Sequence, residues 1–137
     1  MSKDVFHEAV KNALQKDGWI ITHDPLHIES MGFNVLIDLG AERMIGAEKN
    51  GEKIAVEVKS FTNPSGVSQF HIALGQFLNY RDALSDKNPG RELFLAIPKD
   101  AYETTFVIPF VQRAIERYNL VFLVYDPEKE VIVTWHK

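Results

Sequence analysis

Met44-Ile45-Gly46-Ala47-Glu48-Lys49, then Asn50-Gly51, then Glu52-Lys53-Ile54-Ala55-Val56-Glu57-Val58-Lys59 reads as two strands joined by a two-residue turn. Asn-Gly is favoured there because a type I′ turn needs positive φ at both central residues. Side chains alternate along a strand, so Ile54, Val56 and Val58 share one face while Ala55, Glu57 and Lys59 share the other. Upstream, Phe33 to Leu39 alternates as well: Val35, Ile37 and Leu39 lie opposite Asn34, Leu36 and Asp38. The three runs predict a meander that ends its first strand near Asp38 and brings that carboxylate close to Glu57.

Working outward, Asp4 to Lys16 places Phe6, Ala9, Val10, Ala13 and Leu14 on one helical stripe, with Ser2 or Asp4 as N-cap and Gly18 as the stop. Glu8 sits at the border of that stripe, where a first-turn acid is favoured by the helix dipole and otherwise solvated. Trp19-Ile20-Ile21-Thr22 predicts a short strand ended by Asp24-Pro25. A loop at Ser60–Gly66 leads to a helix from Val67 to about Leu84, with Phe70, Ala73, Leu74, Phe77 and Leu84 on one stripe and Ile72, Gln76 and Tyr80 beside it. Leu93 to Ile97 and Leu120 to Tyr125 are continuous apolar runs that predict strands buried on both faces. Between them, Lys99 to Tyr118 reads as helix in two pieces, because proline at Pro109 fits a first turn and not an interior. Val131 to Trp135 is expected to pair back as an edge strand. The order predicts an α/β fold: one domain over residues 1–137, with a mixed sheet flanked by helices.

Composition narrows the chemistry. The 137 residues, 45% hydrophobic, are enough for one buried core. No run approaches the roughly 20 apolar residues of a spanning helix, and no secretory signal is visible, so a cytoplasmic protein without membrane attachment is expected. Cysteine is absent, which removes disulfides, thiolate zinc sites and a cysteine nucleophile. Fifteen Lys+Arg against nineteen Asp+Glu give a formal charge of −4, which argues against strong general DNA binding unless a local basic patch, a metal ion or a basic partner supplies the attraction.

The residues that carry chemistry lie on the opening stretch. Magnesium takes oxygen ligands, usually one or two carboxylates with waters and substrate oxygens. Asp38, Glu57 and the Val58 backbone carbonyl meet that need, and Lys59 is placed to orient a water or to stabilise charge on an attacked phosphate. A Glu-x-Lys pair alone is commonly a solvated ion pair of little worth. His7, His23, His27, His71 and His136 show no zinc-type spacing, and Ser65-Gly66 and Gly75 make no phosphate-binding loop. Phe106, Phe110 and Tyr118 are expected in the core, with the aromatics near Tyr102 as an alternative partner surface.

Asp38, then Glu57-Val58-Lys59, then Gln76-Phe77-Leu78-Asn79-Tyr80 resemble the PD-(D/E)xK nuclease pattern in the version with a Q-x-x-x-Y helix, found among RecB-like nucleases. The residue before Asp38 is Ile37 where many members have proline. More closely, Ile54-Ala55-Val56-Glu57-Val58-Lys59-Ser60-Phe61, Ala73-Leu74-Gly75-Gln76-Phe77-Leu78-Asn79-Tyr80-Arg81-Asp82-Ala83-Leu84 and Ala114-Ile115-Glu116-Arg117-Tyr118 resemble the XisH family, cyanobacterial factors that control excision of a DNA element during heterocyst development. This likeness spans nearly the whole chain.

The resemblance implies a restriction-endonuclease-like α-β-α core. Asp38 and Glu57 would ligate Mg²⁺ or Mn²⁺ with the Val58 carbonyl, Lys59 would be the catalytic lysine, Gln76 and Tyr80 would line the cleft, and Glu8 would be the first-helix acid. It further implies DNA as substrate, with a small XisI-like protein and a recombinase as partners. Edge strands such as Val131 to Trp135 would allow a homodimer. The alternative is a catalytically silent nuclease-fold subunit that regulates a recombinase through protein contacts.

Overall fold

Leu93-Phe94-Leu95-Ala96-Ile97 forms the middle of the molecule. Leu93, Leu95 and Ile97 enter one apolar cluster and Phe94 and Ala96 the other, so every residue of the run is removed from water, each large one contributing about 1.5–3 kcal/mol. The computed structural model describes residues 3–34, 44–62 and 65–137. These run as α1 (Lys3–Lys16), β1 (Ile20–His23), β2 (Glu29–Ser30), β3 (Phe33–Asn34), β4 (Met44–Lys49), β5 (Glu52–Val58), α2 (Gly66–Lys87), β6 (Arg91–Pro98), α3 (Lys99–Thr104), α4 (Pro109–Arg117), β7 (Phe122–Asp126) and β8 (Val131–His136).

One sheet has the order β1-β4-β5-β6-β7-β8. β6 is parallel to both β5 and β7, and parallel neighbours need crossover connections, here α2 and then α3 with α4. The outer pairs are antiparallel: β1 on β4, β4 on β5 and β8 on β7. Asn50 and Gly51 take φ of 51° and 81° at the β4–β5 turn, as the hairpin reading requires. Phe6, Ala9, Val10 and Leu14 of α1 pack on one sheet face against Ile45, Ile54, Val56 and Phe94. Phe70, Ala73, Phe77, Tyr80 and Leu84 of α2, with Val111 and Ile115 of α4, cover the other. The mixed sheet flanked by helices expected from the sequence is therefore the observed class.

Helix ends follow the local signals. Gly18 adopts φ 92° and Trp19 N donates to Leu14 O at 3.0 Å, closing α1. Ser65 caps α2 by accepting from Ser68 N at 3.3 Å. Pro109 opens α4 at its first turn. Asp4 lies within α1 rather than before it, and Ser2 is outside the described residues.

Two expectations are corrected. The neighbour of β4 across from β5 is β1, not the Phe33–Leu39 run; of that run Phe33–Asn34 pairs instead with Glu29–Ser30 in a separate two-stranded sheet, and the remainder, with Asp38, lies outside the described residues. Periodicity assigns side chains to faces, while lateral order depends on tertiary packing. Phe110 and Tyr118 are 55% and 41% exposed, whereas Phe106 is buried. α4 starts at Pro109, which turns Val111 and Ile115 inward and leaves Phe110 outward with Arg113 over its ring at 5.5 Å.

A polar clamp fixes α1 to the end of β1. Asp24 Oδ1 lies 2.7 Å from His7 Nε2, and Oδ2 is 2.9 Å from Lys11 Nζ. Burial pushes the Asp24 carboxyl up, but the hydrogen bonds from Lys11 and His7 outweigh it and hold the carboxyl below its ordinary range; the same contact raises Lys11. A depressed folded pKa contributes stability that is present above the unfolded value, near pH 4, and is lost as pH falls through the folded value. Asp24→Asn is thus expected to cost about 1.5–3 kcal/mol at neutral pH and to flatten the acid limb of the stability curve, measured by thermal melting between about pH 2 and pH 6.

Candidate functional site

β5 carries the site because its alternation turns Ala55, Glu57 and Lys59 toward α2, while Ile54, Val56 and Val58 join the cluster beneath α1. Glu57 is 1% exposed and Lys59 6%, and Lys59 Nζ stands 3.7 Å from Glu57 Oε1. Two opposite charges so far out of water carry a desolvation cost that attraction only partly offsets. Gln76, half-buried on α2, accepts a hydrogen bond from the Lys59 ammonium through Oε1. The backbone of Lys59 is held on both sides: its N–H donates to Ala96 O at 2.9 Å, and its carbonyl accepts from the Tyr125 hydroxyl at 2.8 Å.

The structure therefore brings together Glu57, Lys59 and Gln76, at the end of β5 next to the crossover into α2. Tyr80, one turn beyond Gln76, is 1% exposed and packed in the core cluster beneath α2. Val58 turns its side chain to the opposite face, which leaves its backbone as the group relevant to a metal. Glu8 is exposed on α1, the layer across the sheet from Lys59 and Gln76, and as the sixth residue of that helix it lies beyond the first turn. Asp38 is outside the described residues. Among the described residues no group of three or more His, Cys, Asp or Glu is arranged to hold a metal ion. The oxygen donors that are present suit a hard cation and not zinc.

Two supporting residues escaped the sequence reading. Tyr125 lies 66 positions from Lys59, and no local pattern links them. Arg81 donates through Nη1 to Tyr118 O at 3.0 Å and Asn119 O at 3.2 Å, capping the carbonyl end of α4 and fixing the helix that carries Gln76. Its place directly after Tyr80 was the available signal. The histidines behave as ordinary residues: His23, His27, His71 and His136 are exposed, and His7 serves the Asp24 clamp.

The family model described as XisH protein matches residues 1–133 of the 137. The chain belongs to the XisH family. Its fold matches that of an XisH family protein from Nostoc punctiforme PCC 73102, with TM-score 0.90 and 50% sequence identity over 98% of this chain and 100% of that one. A second solved structure, an fdxN element excision controlling factor protein from Anabaena variabilis, is similar to the same degree: TM-score 0.90, 50% identity, 98% and 100% coverage. A search of the curated proteins gives no match. Among the described residues of this XisH-family chain, no helix is long and apolar enough to cross a membrane.

Proposed function

We propose that this XisH-family chain acts in excision of a DNA element, in line with the name of the Anabaena variabilis relative, an fdxN element excision controlling factor protein, and that it does so through a PD-(D/E)xK-type site that cleaves DNA phosphodiesters. The observation that carries the reading is the Glu57–Lys59 pair, almost fully removed from water and met by the Gln76 amide. Strongly desolvated charges of opposite sign at the end of a strand are a costly way to hold a fold and a common way to build a reactive site.

Mg²⁺ or Mn²⁺ would be held by Asp38, Glu57 and the Val58 carbonyl, and would supply a Lewis acid and a more acidic bound water. Lys59 presents a positive charge where negative charge builds on the attacked phosphate, and low local dielectric strengthens that interaction. Gln76 fixes the direction of the ammonium, and Ala96 and Tyr125 fix the backbone that carries it. Tyr80 extends the same helix face and is assigned to positioning.

The test is cleavage of duplex and branched DNA with Mg²⁺ or Mn²⁺. Glu57→Ala and Asp38→Ala are expected to lower the rate by about a hundredfold or more; unchanged cleavage in either would remove that residue from the site. The net charge of −4 favours a second reading, a silent nuclease-fold subunit that regulates a recombinase, since phosphate contacts dominate DNA affinity. Absence of cleavage across metals and substrates, together with recovery of a small XisI-like partner in a pull-down, would decide for it.

A further inference from the structure

The two-residue turns Asn50-Gly51 and Met31-Gly32 share one backbone shape, with φ of 51° and 81° in the first and 50° and 82° in the second. Asparagine suits the leading position because it tolerates a positive φ; a long apolar side chain such as methionine does not. The fold gains nothing from methionine there, since Met31 is 98% exposed. A residue type that local conformation disfavours and packing does not use points to a contact outside the chain.

The turn is held against α2. Ser30, buried beside it, donates from Oγ to Asp86 Oδ2 at 2.7 Å. Between the turn and the helix lies an open cavity of about 330 Å³, walled by Met31, Asn79, Asp82 and Ala83, a size that ligand pockets reach. Asn79 follows Gln76 by three residues, a rise of roughly 4.5 Å, and Ala83 by seven, on the same flank of the helix. The cavity therefore begins about one turn along α2 from the contact between Gln76 and Lys59. Among the described residues that line it there is no cation, and Asp82 adds a carboxylate, so a phosphate is repelled. A nucleobase fits this lining: the Met31 thioether lies on its π-face, the Asn79 amide meets its edge, and Asp82 accepts from an exocyclic amine. Asn79 and Asp82 are both exposed, which leaves their polar ends open to it.

We infer that the cavity between Met31 and Asn79 takes the unstacked base of a nucleotide beside the cut, so that the substrate is DNA with an unpaired nucleotide there, as in a bulge or a branch. A base reaches such a cavity only by leaving its stack, and an apolar side chain at the tip of a rigid turn holds it out. The inference rests on the proposed cleavage of DNA at Glu57 and Lys59, and adds which DNA that site takes.

The test reads binding apart from cleavage. A duplex with one unpaired 2-aminopurine, a base that bears an exocyclic amine and brightens on leaving its stack, is titrated with the full chain, with Ca²⁺ replacing Mg²⁺. A duplex in which the same base is paired serves as its comparison, and cleavage of both is followed separately with Mg²⁺. The expected result is a saturable rise in fluorescence with the unpaired probe, at least on the order of tenfold weaker with the paired duplex, with Met31→Asn and with Asp82→Asn. Met31→Leu retains the response because it keeps an apolar side chain. Met31→Asn melts at or above the parent temperature, since asparagine suits the turn, which separates a lost contact from lost structure. A response without cleavage supports the base site and counts against cleavage at Glu57. No response from the unpaired probe, with or without cleavage, an equal response from the paired duplex, or a response undiminished in Met31→Asn overturns the inference.

Discussion

Lys59→Met is expected to lower the proposed DNA cleavage by about a hundredfold or more and to destabilise the fold by about 3–5 kcal/mol, the usual effect of breaking a buried pair from one side. The reason is specific to this strand. Glu57 is 1% exposed with the Lys59 ammonium 3.7 Å away, so removing the ammonium leaves a carboxylate where water cannot compensate it. Adding Glu57→Gln should return most of the stability, because an uncharged pair of similar volume has no desolvation penalty to offset. It should return none of the cleavage. Thermal melting and single-turnover cleavage on the two single variants and the double variant separate the roles: a merely structural pair would show stability and activity recovering together.

Gly66→Ala is expected to cost about 1–3 kcal/mol by forcing a packed contact apart and to weaken the proposed cleavage as well. A Cβ at Gly66 would lie 2.0 Å from Thr105 Oγ1 and 3.2 Å from Thr105 Cβ, and Thr105 is buried at the end of α3. The clash is relieved by turning the Thr105 side chain or by shifting the first turn of α2, and α2 carries Gln76 to Lys59. Thr105→Ala in the same chain removes the 2.0 Å contact and is expected to restore most of the melting temperature. If Gly66→Ala alone melts with the parent, the packing of α2 on Thr105 is looser than described.

These two cases show what the sequence could and could not disclose. The hairpin was legible at Asn50-Gly51 because two consecutive positive φ values demand those residue types, and the break between α3 and α4 was legible at Pro109 because proline cannot continue a helix. The common face of Glu57 and Lys59 followed from period two. Their burial did not, because a Glu-x-Lys on an open strand face looks the same in sequence; α2 and the surrounding apolar side chains make the difference. Likewise the helical spacing places Gln76 and Tyr80 one turn apart, but only packing brings the Gln76 amide onto the Lys59 ammonium. Lateral strand order was illegible: β1 and the Phe33–Leu39 run are both short and apolar, and only packing places β1 beside β4.

Calorimetric titration of Mg²⁺ and Mn²⁺ into the parent chain and into Glu57→Ala tests the central claim most directly. The account predicts one saturable divalent-ion site in the parent that is lost in the variant while the variant remains folded. Equal binding by both chains, or no binding by the parent at any concentration that supports DNA cleavage, would contradict it.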